Sequence, residues 1–129
     1  MAKTKQFTIP VQNQTGAVAE IARTLANANV NIRALLGTAQ GTGGTVQLVV
    51  EDARRAKKAL DEAGLSYEET TAEEIELPNK PGALAQYLEK LSSRGVNMNS
   101  ICAIASKGGK KAVVVYTAEA RAKAATATA

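Results

Sequence analysis

The chain has 129 residues, of which 45% are hydrophobic and 22% charged, and its formal net charge is +4. This length suits one ordinary globular domain or two very small ones. No apolar run approaches the roughly 18 residues that a membrane span needs, and we expect neither a membrane segment nor a secretory signal. Because Cys102 is the only cysteine, no internal disulfide can form, and the sequence predicts a cytoplasmic protein.

The residue types that the chain lacks argue against catalysis. It has no histidine, the commonest general base and metal ligand, so we predict no catalytic residues, no metal and no cofactor. Aspartate occurs only at Asp52 and Asp61. The basic residues are scattered, with an acidic stretch at residues 68–76 between them. A small scattered excess of charge is typical of solubility, so we expect no nucleic-acid partner.

The first half of the chain predicts the order βαββαβ. Alternating apolar and polar residues indicate half-buried strands, apolar residues at helical spacing indicate helices, and glycines mark turns. In the second strand the predicted buried positions are Ile32, Ala34 and Leu36. The predicted elements are a strand at 7–11, a helix at 17–28, a strand at 31–39, a turn at 40–44, a strand at 45–50, a helix at 52–63 and a strand at 65–70.

The second half repeats the first at a fixed offset. Its strand begins with Ile75 and Leu77, its helix carries Leu84, Leu88 and Leu91, and further strands follow at 97–106 and 111–117. From Ala118 onward the composition predicts a second helix, after which no residues remain for a last strand. The aligned residues include Asn13 with Asn79, Gly16 with Gly82, Leu25 with Leu91, and Asn31 with Asn97.

The predicted fold is therefore α+β: two ferredoxin-like βαββαβ units in tandem, the second without its last strand. The predicted units are residues 1–71 and 72–129, joined by a short linker at Thr70-Thr71-Ala72. A missing strand leaves a sheet edge open, and exposed edges are usually covered. We expect the neighbouring unit or a second chain to cover this edge, and we predict a homodimer.

Asparagine and glycine recur between the first strand and first helix of each repeat, as Asn13 with Gly16 and Asn79 with Gly82. In one interpretation they are structural, because asparagine favours caps and turns and glycine permits tight turns. Pro81 then fits the first helical position. In the other they bind a ligand, because a helix start suits a carboxylate and a carboxamide both donates and accepts.

A second asparagine pair, Asn31 and Asn97, opens the second strand of each repeat. A turn role explains these residues. Binding of an α-ammonium group through the side-chain oxygen explains them equally, if another unit brings its strand–helix loop close.

The segment NKPGALAQYLEKLSSRGVNMNSI resembles the core of an ACT domain, and NQTGAVAEIARTLANANVNIRAL resembles a weaker copy. The resemblance covers nearly the whole chain as a tandem pair. ACT domains are small-molecule regulatory modules of amino-acid metabolism. In those that bind amino acids, the ligand lies between two units, where the strand–helix loop of one faces the second strand of the other.

The resemblance implies two ligand sites, each built from two repeats. The implied sites are Asn13 and Gly16 with Asn97, and Asn79 and Gly82 with Asn31. The leading hypothesis is a non-catalytic regulatory protein that binds a free amino acid between ACT units and signals to a metabolic enzyme by allosteric regulation. The alternative is a ligand-free assembly subunit of such an enzyme.

Three further signals are weaker. The glycines at 41–44 join two strands and open no helix, so they predict a hairpin rather than a phosphate site. Cys102 lies within a strand and is predicted to be a buried thiol. RNA-recognition modules share the βαββαβ order, but they stack bases on exposed aromatics. The central strands here carry only Phe7 and Tyr116 as aromatic residues, so RNA binding is not expected.

Overall fold

A computed structural model describes residues 2–12 and 15–118 of the chain. Six strands and three helices occur in this part, and the predicted α+β fold of ferredoxin-like repeats is confirmed. The elements are, in chain order, β1 (Ala2–Gln12), α1 (Ala17–Asn27), β2 (Ile32–Gln40), β3 (Gly43–Val50), α2 (Ala53–Glu62), β4 (Glu68–Pro78), α3 (Ala83–Ser93), β5 (Met98–Ala105) and β6 (Lys111–Ala118).

The described residues divide into two compact units. The first unit is Lys5–Thr70, and the second unit comprises residues 2–4 and 71–118. In the first unit β3 pairs antiparallel with both β1 and β2, and in the second unit β6 pairs antiparallel with both β4 and β5. The two units therefore repeat one pairing scheme.

The core of the first unit lies between its strands and its two helices. Phe7 of β1 stands opposite Leu48 of β3, and both side chains are fully buried. Full burial of an apolar side chain of this size contributes about 1.5–3 kcal/mol. The N-terminus of α2 is capped by Asp52, whose Oδ1 accepts a 3.1 Å hydrogen bond from the Arg55 backbone N–H. The helices contribute Ile21, Leu25, Ala56, Ala59 and Leu60 to this core.

In the described residues of the second unit the core is smaller. Its buried members are Ile75, Leu91, Val114 and Tyr116. The Tyr87 hydroxyl lies 3.4 Å from that of Tyr116. Burial, followed by this hydrogen bond, raises the pKa of Tyr87 above its ordinary value. Tyr87 therefore remains a neutral packing group near neutral pH.

The predicted linker at Thr70-Thr71-Ala72 is wrong. These residues lie inside β4, a single strand of 11 residues that runs from Glu68 to Pro78. Threonine is β-branched and suits a strand, and the segment holds no glycine or proline to interrupt it. Ala72 is only 1% exposed, so burial also holds the segment in the sheet.

The predicted alternation in the second strand of each repeat is also only partly right. The register of β2 shifts between Ile32 and Ala34, so that Leu35, and not Leu36, stands opposite the buried Leu48. The register of β5 shifts at the equivalent place, and Ile101 stands opposite Tyr116. A bulge inserts one extra residue and reverses the faces of the residues that follow, which an alternating pattern cannot reveal.

The second unit includes residues from the beginning of the chain. Residues 2–4 of β1 belong to it, and the Lys3 Nζ atom forms a 2.7 Å ion pair with Glu73 Oε2 on β4. The sequence predicts these residues within the first unit, 1–71. Ala118, the predicted start of a further helix, ends β6, and the rest of that predicted helix lies outside the described residues.

Candidate functional site

The candidate site is built on the connections that lead from the first strand to the first helix of each unit. Gly16 and Gly82 are the N-cap residues of α1 and α3, with φ angles of 88° and 90°. This left-handed conformation favours glycine. Neither N-cap glycine provides a capping side chain. In α3 the Ala83 N–H donates to the Lys80 oxygen at 3.3 Å, which leaves the following first-turn N–H groups for a ligand. Pro81 precedes the cap and does not occupy the predicted first helical position.

Asn79 is fixed by two hydrogen bonds to the β5–β6 hairpin. Its backbone N–H donates to the Lys110 oxygen at 2.9 Å, and its Nδ2 donates to the Gly109 oxygen at 2.7 Å. The side-chain bond is neither a helix cap nor a bond within a local turn, which are the structural roles that the sequence suggests for asparagine. The side chain is exposed, and the same bond leaves Oδ1 as an acceptor. The aligned Asn13 lies outside the described residues.

Asn31 and Asn97 directly precede β2 and β5, and both are exposed. The Asn31 backbone oxygen accepts a 2.9 Å hydrogen bond from the Glu51 backbone N–H, which joins the start of β2 to the end of β3. Asn97 also takes part in an interaction with its surroundings. In each unit these asparagines follow the C-terminal end of the first helix, whereas Gly16 and Gly82 lie at its start. No single unit brings an asparagine of this pair to its own helix start.

The second unit also contains a cavity of about 200 Å³ beside Asn79. The buried Val114 and the half-buried Ala112 form its floor, and the exposed Asn79 and Lys80 lie at its rim. The remaining lining residues are Leu77, Pro78, Leu84, Ala103, Ile104 and Ala105.

Sequence reasoning missed this cavity. The signal available for it was the replacement of Val46 and Leu48 in the first repeat by the smaller Ala112 and Val114 in the second. The two hydrophobic runs look alike as strands, and the difference in side-chain volume becomes informative only when the facing residues are known.

The other sequence signals do not form a site in the described part of the chain. The turn at Gly41 and Thr42 joins β2 to β3, as the hairpin interpretation predicts. Cys102 is half-buried in β5. Phe7 and Tyr116 are fully buried, so neither presents a face on which a base can stack. Among the described residues, no cluster of histidine, cysteine, aspartate or glutamate is arranged to hold a metal ion.

None of the three described helices is both long and apolar enough to cross a membrane.

Comparison with known proteins gives one family match and several structural matches. The family model of an ACT domain pair matches residues 2–127. A solved protein structure from Bacteroides thetaiotaomicron is 30% identical to the chain, with a TM-score of 0.85, and the match covers 97% of this chain and 85% of that one. No curated protein matches the chain.

Two further structures are regulatory subunits of aspartate kinase. The subunit from Thermus thermophilus is 19% identical with a TM-score of 0.67, and the subunit from Thermus flavus is 18% identical with a TM-score of 0.65. Each match covers 97% of this chain and 89% of the other. At this identity the likeness concerns the fold.

Proposed function

Because the chain belongs to the ACT domain family, as an ACT domain pair, we propose that it binds a free amino acid between ACT units. In this proposal it is a non-catalytic regulatory protein that passes the binding signal to a metabolic enzyme. ACT domains are regulatory modules, and the aspartate kinase subunits that share this fold are named as regulatory. The observation that carries the proposal is the start of α3, which has an open glycine cap and a fixed asparagine three residues before it.

The α-carboxylate of the ligand binds at the start of α3. First-turn N–H groups there have no capping side chain, and the helix dipole adds a partial positive charge. A negative group in such a position gains about 0.3–1 kcal/mol when exposed. The α-ammonium then needs acceptors, and the Oδ1 atom of Asn79 is held beside the same helix start.

The site needs a second unit to be complete. Asn97 follows the C-terminal end of α3, a helix of 11 residues, which at 1.5 Å per residue measures about 16 Å. A single amino acid cannot span that distance with its carboxylate and ammonium groups. The complementary asparagine therefore comes from another unit, in the same chain or in a homodimer. The proposed combinations are Asn79 and Gly82 with Asn31, and Asn13 and Gly16 with Asn97.

Such a site transmits binding by changing the relative stability of two arrangements of the units. A ligand that contacts both units favours the arrangement that brings them together. It shifts the equilibrium only by the difference between its affinities for the two arrangements. The enzyme partner responds to that shift because it contacts the favoured arrangement.

A thermal-melting panel of the twenty amino acids tests the proposal. We expect one or a few of them to stabilise the protein. At a ligand concentration of 100 times Kd the gain is about 2.7 kcal/mol. If no amino acid raises the melting temperature at millimolar concentration, amino-acid sensing is excluded.

Asparagine variants then separate binding from folding. Asn31→Ala and Asn97→Ala should each weaken the ligand-induced rise in melting temperature at one site while the ligand-free melting temperature stays close to that of the wild type. Asn27→Ala, an exposed asparagine at the end of α1, is the matched control and should leave both quantities unchanged. A loss of about 1 kcal/mol in the absence of ligand, with unaltered binding, would assign Asn31 or Asn97 a turn role instead.

A second candidate function is that of a ligand-free assembly subunit. The observation in its favour is β5, which pairs only with β6 among the described strands and contains no charged residue. Its Ile101 and Ile104 are 40% and 60% exposed. Uncharged exposed edge strands readily pair with another chain. Light scattering distinguishes the two candidate functions. If the protein is a ligand-free assembly subunit, Ile104→Lys should break the assembly through β5 and lower its mass, and no added amino acid should alter that mass.

A further inference from the structure

The cavity of the second unit differs in character from the polar connection beside it. Its floor is hydrocarbon, and two of its walls, Leu84 and Ile104, are 38% and 60% exposed. Exposed apolar side chains that surround a cavity gain burial when an apolar group enters it. The chemistry of this surface therefore favours a hydrocarbon side chain.

The volume limits the length of that side chain. At about 30 Å³ for each water molecule, a cavity of about 200 Å³ has room for roughly six of them. Pockets that enclose drug-sized ligands measure about 300–1,000 Å³. A short branched side chain fits within this space with room to spare, whereas a phenyl ring fills most of it, because an apolar cavity of about 150 Å³ holds a single benzene molecule.

The charge of the lining disfavours charged ligand side chains, both cationic and anionic. Lys80 is its charged residue, and no carboxylate lies among the lining residues. A cationic ligand side chain has no partner in the cavity and meets the Lys80 charge at the rim. A carboxylate side chain placed on the floor, against Ala112 and Val114, loses its hydration without gaining a hydrogen bond.

We propose that this cavity receives the side chain of a short branched aliphatic amino acid, of which valine is the simplest, and thereby sets the ligand specificity of the second unit. This inference rests on the proposed function, because the main-chain groups of the ligand bind at Asn79 and at the start of α3. Leu84, Ala103 and Ala112 are the specificity-determining residues.

The first repeat supplies a natural variant for the test. Val46 occupies the position aligned with Ala112, and it is fully buried. Ala112→Val therefore introduces a residue that the same fold already accommodates, and it reduces the volume of the cavity floor. Ala39→Val, at the exposed end of β2 in the first unit, is the matched control for the same chemical change.

Isothermal titration of the full chain with valine, aspartate, lysine and phenylalanine provides the measurement. We expect valine to bind at least tenfold more tightly than aspartate and lysine, and at least as tightly as phenylalanine. Ala112→Val should weaken valine binding at least tenfold without lowering the ligand-free melting temperature, and Ala39→Val should bind valine as the wild type does. If Ala112→Val fails to fold, Leu84→Ala replaces it: removal of an exposed wall should weaken valine binding more than leucine binding.

The outcomes separate this inference from the proposed function. Preferred binding of aspartate, lysine or phenylalanine overturns the aliphatic specificity and leaves amino-acid sensing intact. Valine binding that neither Ala112→Val nor Leu84→Ala weakens overturns the assignment of the cavity. A variant that changes the oligomeric mass but not valine affinity also overturns it, because the groove is then a protein interface. If none of the twenty amino acids binds, the proposed function fails and this inference fails with it.

Discussion

The two units use different side-chain volumes at the same position beneath the first helix. In the first unit Val46 and Leu48 are fully buried and belong to a large continuous core. In the second unit the aligned residues are Ala112 and Val114, and both line an open cavity beside Asn79. Two duplicated units can thus keep the same arrangement of strands and helices while smaller side chains in one of them leave an open cavity.

The largest expected effect tests the difference between the two cores. Leu25 and Leu91 occupy aligned helix positions and are 0% and 1% exposed. Replacement of a buried leucine by alanine typically costs about 2–5 kcal/mol. We expect Leu25→Ala and Leu91→Ala each to fall within this range, because both side chains are fully buried; any gap between the two losses measures how differently the two cores collapse around the missing side chain. Urea denaturation measures both free energies of unfolding.

Leu36→Ala serves as a reference for these two variants. Leu36 is 43% exposed, so its truncation should cost less than either buried replacement. A loss at Leu25 or Leu91 no larger than the loss at Leu36 would contradict the burial of these two helix leucines.

The next largest effect concerns the left-handed glycine at the start of the first helix, which both units share. A Cβ atom added at Gly16 or Gly82 meets nothing within 4 Å, so only the backbone conformation opposes a side chain there. An L-residue in the left-handed region costs roughly 1–2 kcal/mol. Gly16→Ala and Gly82→Ala should therefore lower the free energy of unfolding by similar amounts, as thermal melting would show. Gly16→Asn and Gly82→Asn should lose less stability than the alanine variants, because asparagine tolerates this conformation. An alanine variant as stable as the wild type would disprove the backbone strain.

Much of the fold is encoded locally and could be predicted from the sequence. The apolar spacing of residues 17–28 predicts a helix that the structure begins at Ala17 and ends at Asn27. The glycines after the helices and in the hairpins fall where the chain turns, at Gly41, Gly64 and Gly95 with positive φ angles. Helical periodicity and turn chemistry act over a few residues, so the pattern itself carries the information.

The features that were missed depend on contacts between distant residues. The bulge at the start of β2 and the continuous β4 are set by partner strands, which a local pattern does not specify. The bond from Asn79 to the Gly109 oxygen joins two loops that only the folded sheet brings together. The cavity beside Asn79 likewise depends on which side chains face Ala112 across the unit.

A smaller effect tests the helix cap that is present in the first unit. Asp52 Oδ1 accepts a hydrogen bond from the Arg55 N–H, whereas the aligned residue of the second repeat is Ala118. Loss of an N-cap side chain typically costs about 1 kcal/mol. Asp52→Ala should lower the free energy of unfolding by this amount, measured by urea denaturation. Asp52→Asn keeps the acceptor and should retain most of the stability. The Asp52 Oδ2 atom also lies 3.8 Å from the Arg55 Nε atom as an exposed ion pair. An equal loss in both variants would indicate that this ion pair, and not the cap, provides the stabilisation.

The smallest effect concerns the ion pair that holds the start of the chain in the second unit. Lys3 is 70% exposed and Glu73 is 15% exposed, with 2.7 Å between Nζ and Oε2. Exposed ion pairs contribute about 0–1 kcal/mol, and salt screens them. In a double-mutant cycle of Lys3→Met and Glu73→Gln we expect a coupling energy of about 0.5 kcal/mol at low salt that decreases at high salt. A coupling energy that stays unchanged at high salt would contradict this expectation. It would mean that the half-buried Glu73 carboxylate shields the contact from screening, so that the pair anchoring residues 2–4 does not behave as an exposed one.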